Sequence, residues 1–255
     1  MFVDTHAHLT DEQFVGDVEN ILKKAKDVGV EKVITSGFDV FSSQEAVQFA
    51  EQHDGVFASI GVYPCECDKV EKDYIENLRE LAKNERVVAI GEIGLEKREG
   101  APDLESQKKC FLEQIKLAYE VQKPIVIHCR EAIGDMLNFL REHKALLKFG
   151  GTFHCFGGSK EVAREILDLG FHISLGGVST FKNARAVKEA ILTVPLEKIL
   201  LETDCPYLAP EPFRGKRNDP SFVPYIAENI AKIKGISVEE VGKVTTENAR
   251  RLFGI

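Results

Sequence analysis

The sequence predicts a single (β/α)8 barrel, and three observations carry that prediction. Short β-branched or apolar runs alternate with amphipathic stretches of helical length, an order that implies parallel strands joined by right-handed helical crossovers. Eight such runs are present, the number that closes a barrel. The chain has 255 residues, close to the roughly 250 of one such unit. Residues 1–255 are therefore read as one domain.

In order, the expected strands are Phe2 to His8, Lys32 to Ser36, Val56 to Gly61, Val87 to Glu92, Pro124 to His128, Gly151 to His154, Phe171 to Leu175 and Lys198 to Asp204. Helical patterns lie between them at Asp11 to Val28, Ser42 to His53, Glu71 to Asn84, Leu104 to Gln122 and Lys160 to Leu169, several opened by an Asp or Ser suited to capping. The last helix runs from Ser237 to Phe253. It begins with a capping-box pattern, and its apolar face is expected to seal against the barrel. An open doubly wound sheet would carry a glycine-rich phosphate loop after its first strand. That position reads His6-Ala7-His8-Leu9-Thr10 instead.

A hydrophobic content of 44% and a charged content of 29% describe a globular chain with a substantial core. The net charge of −8 excludes capture of nucleic acid by a broadly basic surface, so a phosphate substrate has to be held locally. The N-terminus shows no basic stretch followed by an apolar one, and no run approaches the roughly 18 apolar residues of a membrane span. The expected setting is the cytoplasm, without a membrane partner and as a monomer. Cys65, Cys67, Cys110, Cys129, Cys155 and Cys205 are read as free thiols, because a chain with a full core needs no disulfide staples.

Strands covered on both faces should be almost wholly apolar, so an ionisable side chain there is costly unless paired or bound to metal. His6 and His8 end the first expected strand, Glu92 the fourth, His128 the fifth, His154 the sixth and Asp204 the eighth. Barrel active sites lie at these C-terminal strand ends, where side chains from separate strands converge. Residues two apart share a face, so His6 and His8 point together into the barrel. Ala7, Ile127, Cys129, Phe153, Cys155, Thr203 and Cys205 then face the helices. Four imidazoles and two carboxylates suit zinc, manganese, magnesium or iron better than calcium and exceed what one tetrahedral ion uses. Two divalent ions are expected, with Glu92 placed to bridge them and Asp204 to bind one and accept a proton from water. His53 and His143 lie at helix ends and His172 at the opposite end of the barrel, where structural roles are expected.

The runs Asp4-Thr5-His6-Ala7-His8-Leu9, Gly91-Glu92-Ile93-Gly94-Leu95, His128-Cys129-Arg130, His154-Cys155-Phe156-Gly157-Gly158, Glu202-Thr203-Asp204-Cys205-Pro206-Tyr207 and Arg214-Gly215-Lys216-Arg217-Asn218 resemble the TatD family of metal-dependent hydrolases. The resemblance runs in family order from residue 4 to Asn248-Ala249-Arg250-Arg251-Leu252-Phe253. It implies a barrel that is distorted in some members, with His6, His8 and Asp204 on one ion, His128 and His154 on another, and Glu92 on both. It also implies magnesium-dependent deoxyribonuclease activity, including removal of nucleotides from a 3′ end, and in some members aminoacyl-tRNA proofreading. The chain has Tyr63 where the family usually has His, and Glu96 where it usually has Asp.

The leading expectation is phosphodiester hydrolysis of single-stranded DNA from its 3′ end. Tyr63 and Arg130 are placed to contact phosphate, and Arg214, Lys216 and Arg217 follow the last strand, where barrels often bind phosphate. Glu202 shares a face with Asp204 and is expected to orient a ligand histidine. The alternative is an aminoacyl-tRNA deacylase or another amide, ester or lactone hydrolase with the same centre. A carboxylated lysine, frequent as the bridge in amidohydrolases, has no counterpart among the strand ends, which favours the phosphodiester.

Overall fold

A computed structural model describes residues 1–255. Its eight strands form one parallel sheet, each pairing with the next in sequence. They are β1 (Phe2–Ala7), β2 (Val30–Ser36), β3 (Val56–Ile60), β4 (Val87–Glu96), β5 (Ile125–Arg130), β6 (Gly151–Phe153), β7 (His172–Leu175) and β8 (Ile199–Leu201). The helices are α1 (Val18–Asp27), α2 (Val40–Gln52), α3 (Tyr74–Leu81), α4 (Leu104–Glu120), α5 (Ile133–Glu142), α6 (Lys160–Asp168), α7 (Arg185–Thr193), α8 (Val223–Lys234) and α9 (Val238–Phe253). No helix is long and apolar enough to cross a membrane.

Local chemistry sets the helix limits. Asp39 caps α2 by accepting from the Ser42 amide at 2.6 Å, so this helix starts before the expected Ser42. Ser237 caps α9, as expected, by accepting from the Glu240 amide at 3.0 Å. The stretch expected as one helix from Asp11 to Val28 is broken in two. Gly16, at φ +78°, takes a left-handed conformation that no helix continues through, and α1 starts only at Val18.

The barrel wall separates two apolar clusters. The larger one lies between strands and helices. The smaller joins Val3, Ile34, Val88, Val126 and Leu200, from five strands, to Ala249 and Phe253 of α9. Side chains of non-neighbouring strands meet only inside the barrel, so this second cluster fills its lower interior and α9 closes the floor. Burial of each such side chain contributes about 1.5–3 kcal/mol.

The seam lies between β8 and β1, where no strand ladder forms. The chain ends are tied there by Asp204 N–H to the His6 carbonyl (2.9 Å), His8 N–H to the Cys205 carbonyl (2.8 Å) and the Thr5 hydroxyl to the Leu201 carbonyl (2.9 Å). Buried Asp4 adds a polar clasp, accepting from the Thr203 hydroxyl at 2.5 Å and the Thr203 amide at 2.9 Å. Thr203 thus faces the first strand rather than the helices, because the chain has already left β8.

Candidate metal centre

Counting in twos from the floor places some mouth residues directly. From Val126 the count reaches His128, from Ile34 Ser36, and from Leu200 Glu202. From Val3 it reaches Thr5, whose hydroxyl meets that of Ser174 at 3.2 Å, and misses His6. The pairing of β1 with β2 slips between Asp4 and Ala7, and that slip turns His6 and His8 to the centre. A similar slip between Ile90 and Ile93 surrounds Glu92, which lies within β4 rather than at its end. Here β4 presses on β5: a Cβ on Gly94 would lie 1.9 Å from the His128 carbonyl oxygen. His154 stands just past β6. Asp204 stands three residues past the end of β8, with φ at +57°, a conformation aspartate tolerates better than most residues.

All six expected residues converge. The Glu92 carboxylate divides its oxygens between two histidine groups. Oε2 lies 3.5 Å from His6 Nε2 and 3.9 Å from His8 Nε2, while Asp204 Oδ1 lies 3.6 and 3.4 Å from the same two nitrogens. These separations of 3.4–3.9 Å leave the four donors facing one another, where they could share one divalent ion. Oε1 lies 2.8 Å from His128 Nδ1 and 3.0 Å from His154 Nε2, and those nitrogens are 3.1 Å apart. The two groups are continuous, because the His6 and His154 rings stack at 4.2 Å and His6 Nε2 also converges with Glu92 and His154.

The outer contacts orient the rings. His8 Nδ1 lies 3.1 Å from the Ser36 carbonyl, to which it can only donate, so its Nε2 is left bare toward Glu92 and Asp204. His6 Nδ1 meets the Ser36 hydroxyl at 3.1 Å, itself 2.8 Å from that of Ser59. His6 Nε2 is buried with no hydrogen-bond partner. An unpartnered imidazole nitrogen facing two carboxylates is costly unless a cation or proton sits between them. The donor set therefore fits divalent ions of the kind that take imidazole and carboxylate together.

Burial and neighbouring charges pull the groups of the centre in opposite directions. Burial lowers the His6 imidazole to about 4, assisted by neighbouring His154. Burial also opposes a charge on His154, but the Glu92 carboxylate outweighs it and raises that ring to about 10. Burial works against ionised Glu92 as well, yet His154, His128 and His6 hold it well below the ordinary carboxylate range. Glu202 is buried and pushed up to about 7. Its Oε1 accepts from the Cys155 amide at 2.5 Å and stands 3.8 Å from His154 Nδ1, beside the ring it was expected to orient.

The residues read as substrate contacts fall into two classes. Tyr63 is half-buried at the mouth, its hydroxyl donating to Glu96 at 2.7 Å and standing 3.2 Å from His128 Nε2. Arg130 is exposed at the end of β5. Arg214 lies over the Phe181 ring at 4.3 Å and Lys216 over Phe213 at 5.8 Å, both with exposed side chains. Arg217 instead pairs with Asp17, donates to the Gln13 carbonyl at 2.6 Å and covers Phe14, which ties the loop after β8 to the segment before α1.

Two residues of the centre escaped the sequence reading. Ser36 contacts both first-strand histidines and was visible only as a polar end to the second strand. Asp4 breaks the same rule that exposed the histidines, an ionisable group in a buried strand, but its position in mid-strand hid it from a search of strand ends. His53 and His143 stand at the ends of α2 and α5, and His172 opens β7 at the floor, as expected.

Residues 3–254 match the family described as TatD related DNase. A Bacillus subtilis (strain 168) protein named uncharacterized metal-dependent hydrolase YabD is 45% identical over 255 residues, covering 100% of both chains. A Pantoea ananatis protein named 3'-5' ssDNA/RNA exonuclease TatD is 34% identical over 258 residues, covering 99% of both. Among solved structures, YJJV, a TatD homologue from Escherichia coli K12, superposes with a TM-score of 0.94 at 29% identity, covering 100% of this chain and 98% of the other. A match across nearly the whole chain, on the strands that carry the converging histidines and carboxylates, makes this protein a member of the TatD family of metal-dependent hydrolases.

Proposed function

We propose that this hydrolase cleaves phosphodiester bonds of single-stranded nucleic acid, removing nucleotides from the 3′ end, with two divalent ions at the barrel mouth. The observation that carries the two-ion reading is the division of the Glu92 oxygens, Oε2 toward His6 and His8 and Oε1 toward His128 and His154. His6, His8, Asp204, His128, His154 and Glu92 would hold these ions, which would supply Lewis acidity when bound.

The protein groups do the rest. Asp204 is held below the ordinary carboxylate range, because contacts to His8 and His6 outweigh its burial, and so is ionised and able to accept the proton of an attacking water. Arg214 and Lys216, with no carboxylate partner, are the cations best placed in the loop after β8 to hold substrate phosphates; Arg217 is already engaged by Asp17. Arg130 supplies a further cation beside the mouth. The nucleic-acid reading is supported by the name of the Pantoea ananatis relative, a 3'-5' ssDNA/RNA exonuclease.

The test is to incubate the purified protein with 3′-labelled single-stranded DNA and RNA, and separately with misacylated tRNA, in magnesium, manganese or zinc. Stepwise release of labelled mononucleotides, abolished by a chelator and restored by the ion, is the expected result. Ester loss from the tRNA without nucleotide release would replace this reading with a deacylase. Inertness toward both substrates with every ion would overturn the nucleic-acid reading altogether.

A further inference from the structure

Glu96 ends β4 opposite Arg130 at the end of β5, and its side chain is fully buried. The Gln107 side chain of α4 grips its backbone from both sides, accepting from the Glu96 amide at 2.8 Å and donating to the Glu96 carbonyl at 2.8 Å. The carboxylate is therefore fixed in place. Oε1 accepts from the Arg98 amide at 3.2 Å, and Oε2 accepts from the Tyr63 hydroxyl at 2.7 Å and lies 3.2 Å from His128 Nε2.

A count of hydrogens in this cluster gives the tautomer of a neutral His128. The one hydroxyl hydrogen of Tyr63 is used on Glu96, and an ionised carboxylate brings none. In the neutral imidazole that ligation requires, the hydrogen between Nε2 and Oε2 comes from the ring and leaves Nδ1 bare, 2.8 Å from Glu92 and 3.1 Å from His154. Resting on the reading of His128 as a ligand, we infer that Glu96 is a positioning residue, which holds His128 in the tautomer whose Nδ1 is free for an ion. Tyr63 plays the opposite part when Glu96 is missing. Its freed hydroxyl, already 3.2 Å from Nε2, donates there and drives the ring hydrogen to Nδ1, where it pairs with Glu92 in place of the ion.

The test uses the full-length chain and reads binding and tautomer rather than turnover. Manganese titration by calorimetry should show two ions on the native protein, and nitrogen NMR of the zinc-saturated protein should find the His128 hydrogen on Nε2. Glu96→Ala should weaken one ion by about 10–100-fold, the usual cost of losing a carboxylate behind a ligating histidine, and leave the other unchanged. Adding Tyr63→Phe should recover part of that loss, a rescue that damage to the fold would not give. The NMR result on the native chain stands even if Glu96→Ala fails to fold. A hydrogen on Nδ1 in the native protein, equal weakening of both ions, or unchanged binding in Glu96→Ala would each overturn the role of Glu96. Failure of the native chain to bind any divalent ion would instead defeat the metal centre itself.

Discussion

The two ends of the barrel are built from the same strands and obey opposite rules. At the floor, Val3, Ile34, Val88, Val126 and Leu200 pack against Ala249 and Phe253, a cluster without an ionisable group. At the mouth, Asp4, His6, Glu92, Glu96, His154 and Glu202 are buried together. Apolar burial at the floor is favourable residue by residue. Burial of charge at the mouth is unfavourable residue by residue and is offset only by the group acting together, through opposed charges and donated hydrogens, to which a bound cation would add. The comparison teaches where stability and reactivity are kept apart: a few residues along each strand separate the part that holds the barrel shut from the part that reacts.

Substitutions at either end can break this separation. The largest effect is expected for Glu92→Ala, which should lower turnover of 3′-labelled single-stranded DNA by at least about a thousandfold while circular dichroism shows a folded barrel. Full activity in that variant would remove Glu92 from the centre. Phe253→Ala, at the floor, should cost about 3–5 kcal/mol of stability in urea unfolding and leave turnover per folded molecule unchanged. A matching fall in turnover would mean that the two ends are coupled. Arg214→Ala should raise KM for single-stranded DNA and flatten its dependence on salt, by about one unit of the salt slope, without lowering kcat.

The smallest effect concerns pH. His172 is held down to about 4 by burial, with Lys198 next, so the unfolded chain takes up its proton near 6.5 while the folded chain stays neutral. Its contribution to stability is complete above about 6.5 and is lost as pH falls through about 4. Thermal melting of His172→Asn should therefore depend less steeply on pH across that window than the native protein does. Identical slopes would show that this floor histidine does not sense acid.

The fold was legible because parallel strands and their helices have different periods, and each of the eight strands was found in sequence order. The six converging residues were legible because histidine and carboxylate are expensive inside strands, so each stood out against an apolar run. What stayed hidden depends on partners distant in sequence. The slips that turn His6 and surround Glu92 follow from the register of a neighbouring strand. Pairing of Arg217 with Asp17 joins residues 200 apart. Glu96 appeared in the sequence only as a departure from the family, because its contacts to Tyr63 and His128 come from two other strand ends.

The clasp of Asp4 on Thr203 spans 199 residues and has a consequence for the life of the chain before it is complete. Ribosomes add about 5–20 residues each second, so His6 precedes Asp204 by on the order of ten to forty seconds. For that whole interval the first histidines have no seam to close against, and the growing polypeptide lacks the carboxylate that completes their cage. Asp204 and the Phe253 plug both belong to the last part of the chain to be made, so the mouth and the floor of the barrel are completed together and late.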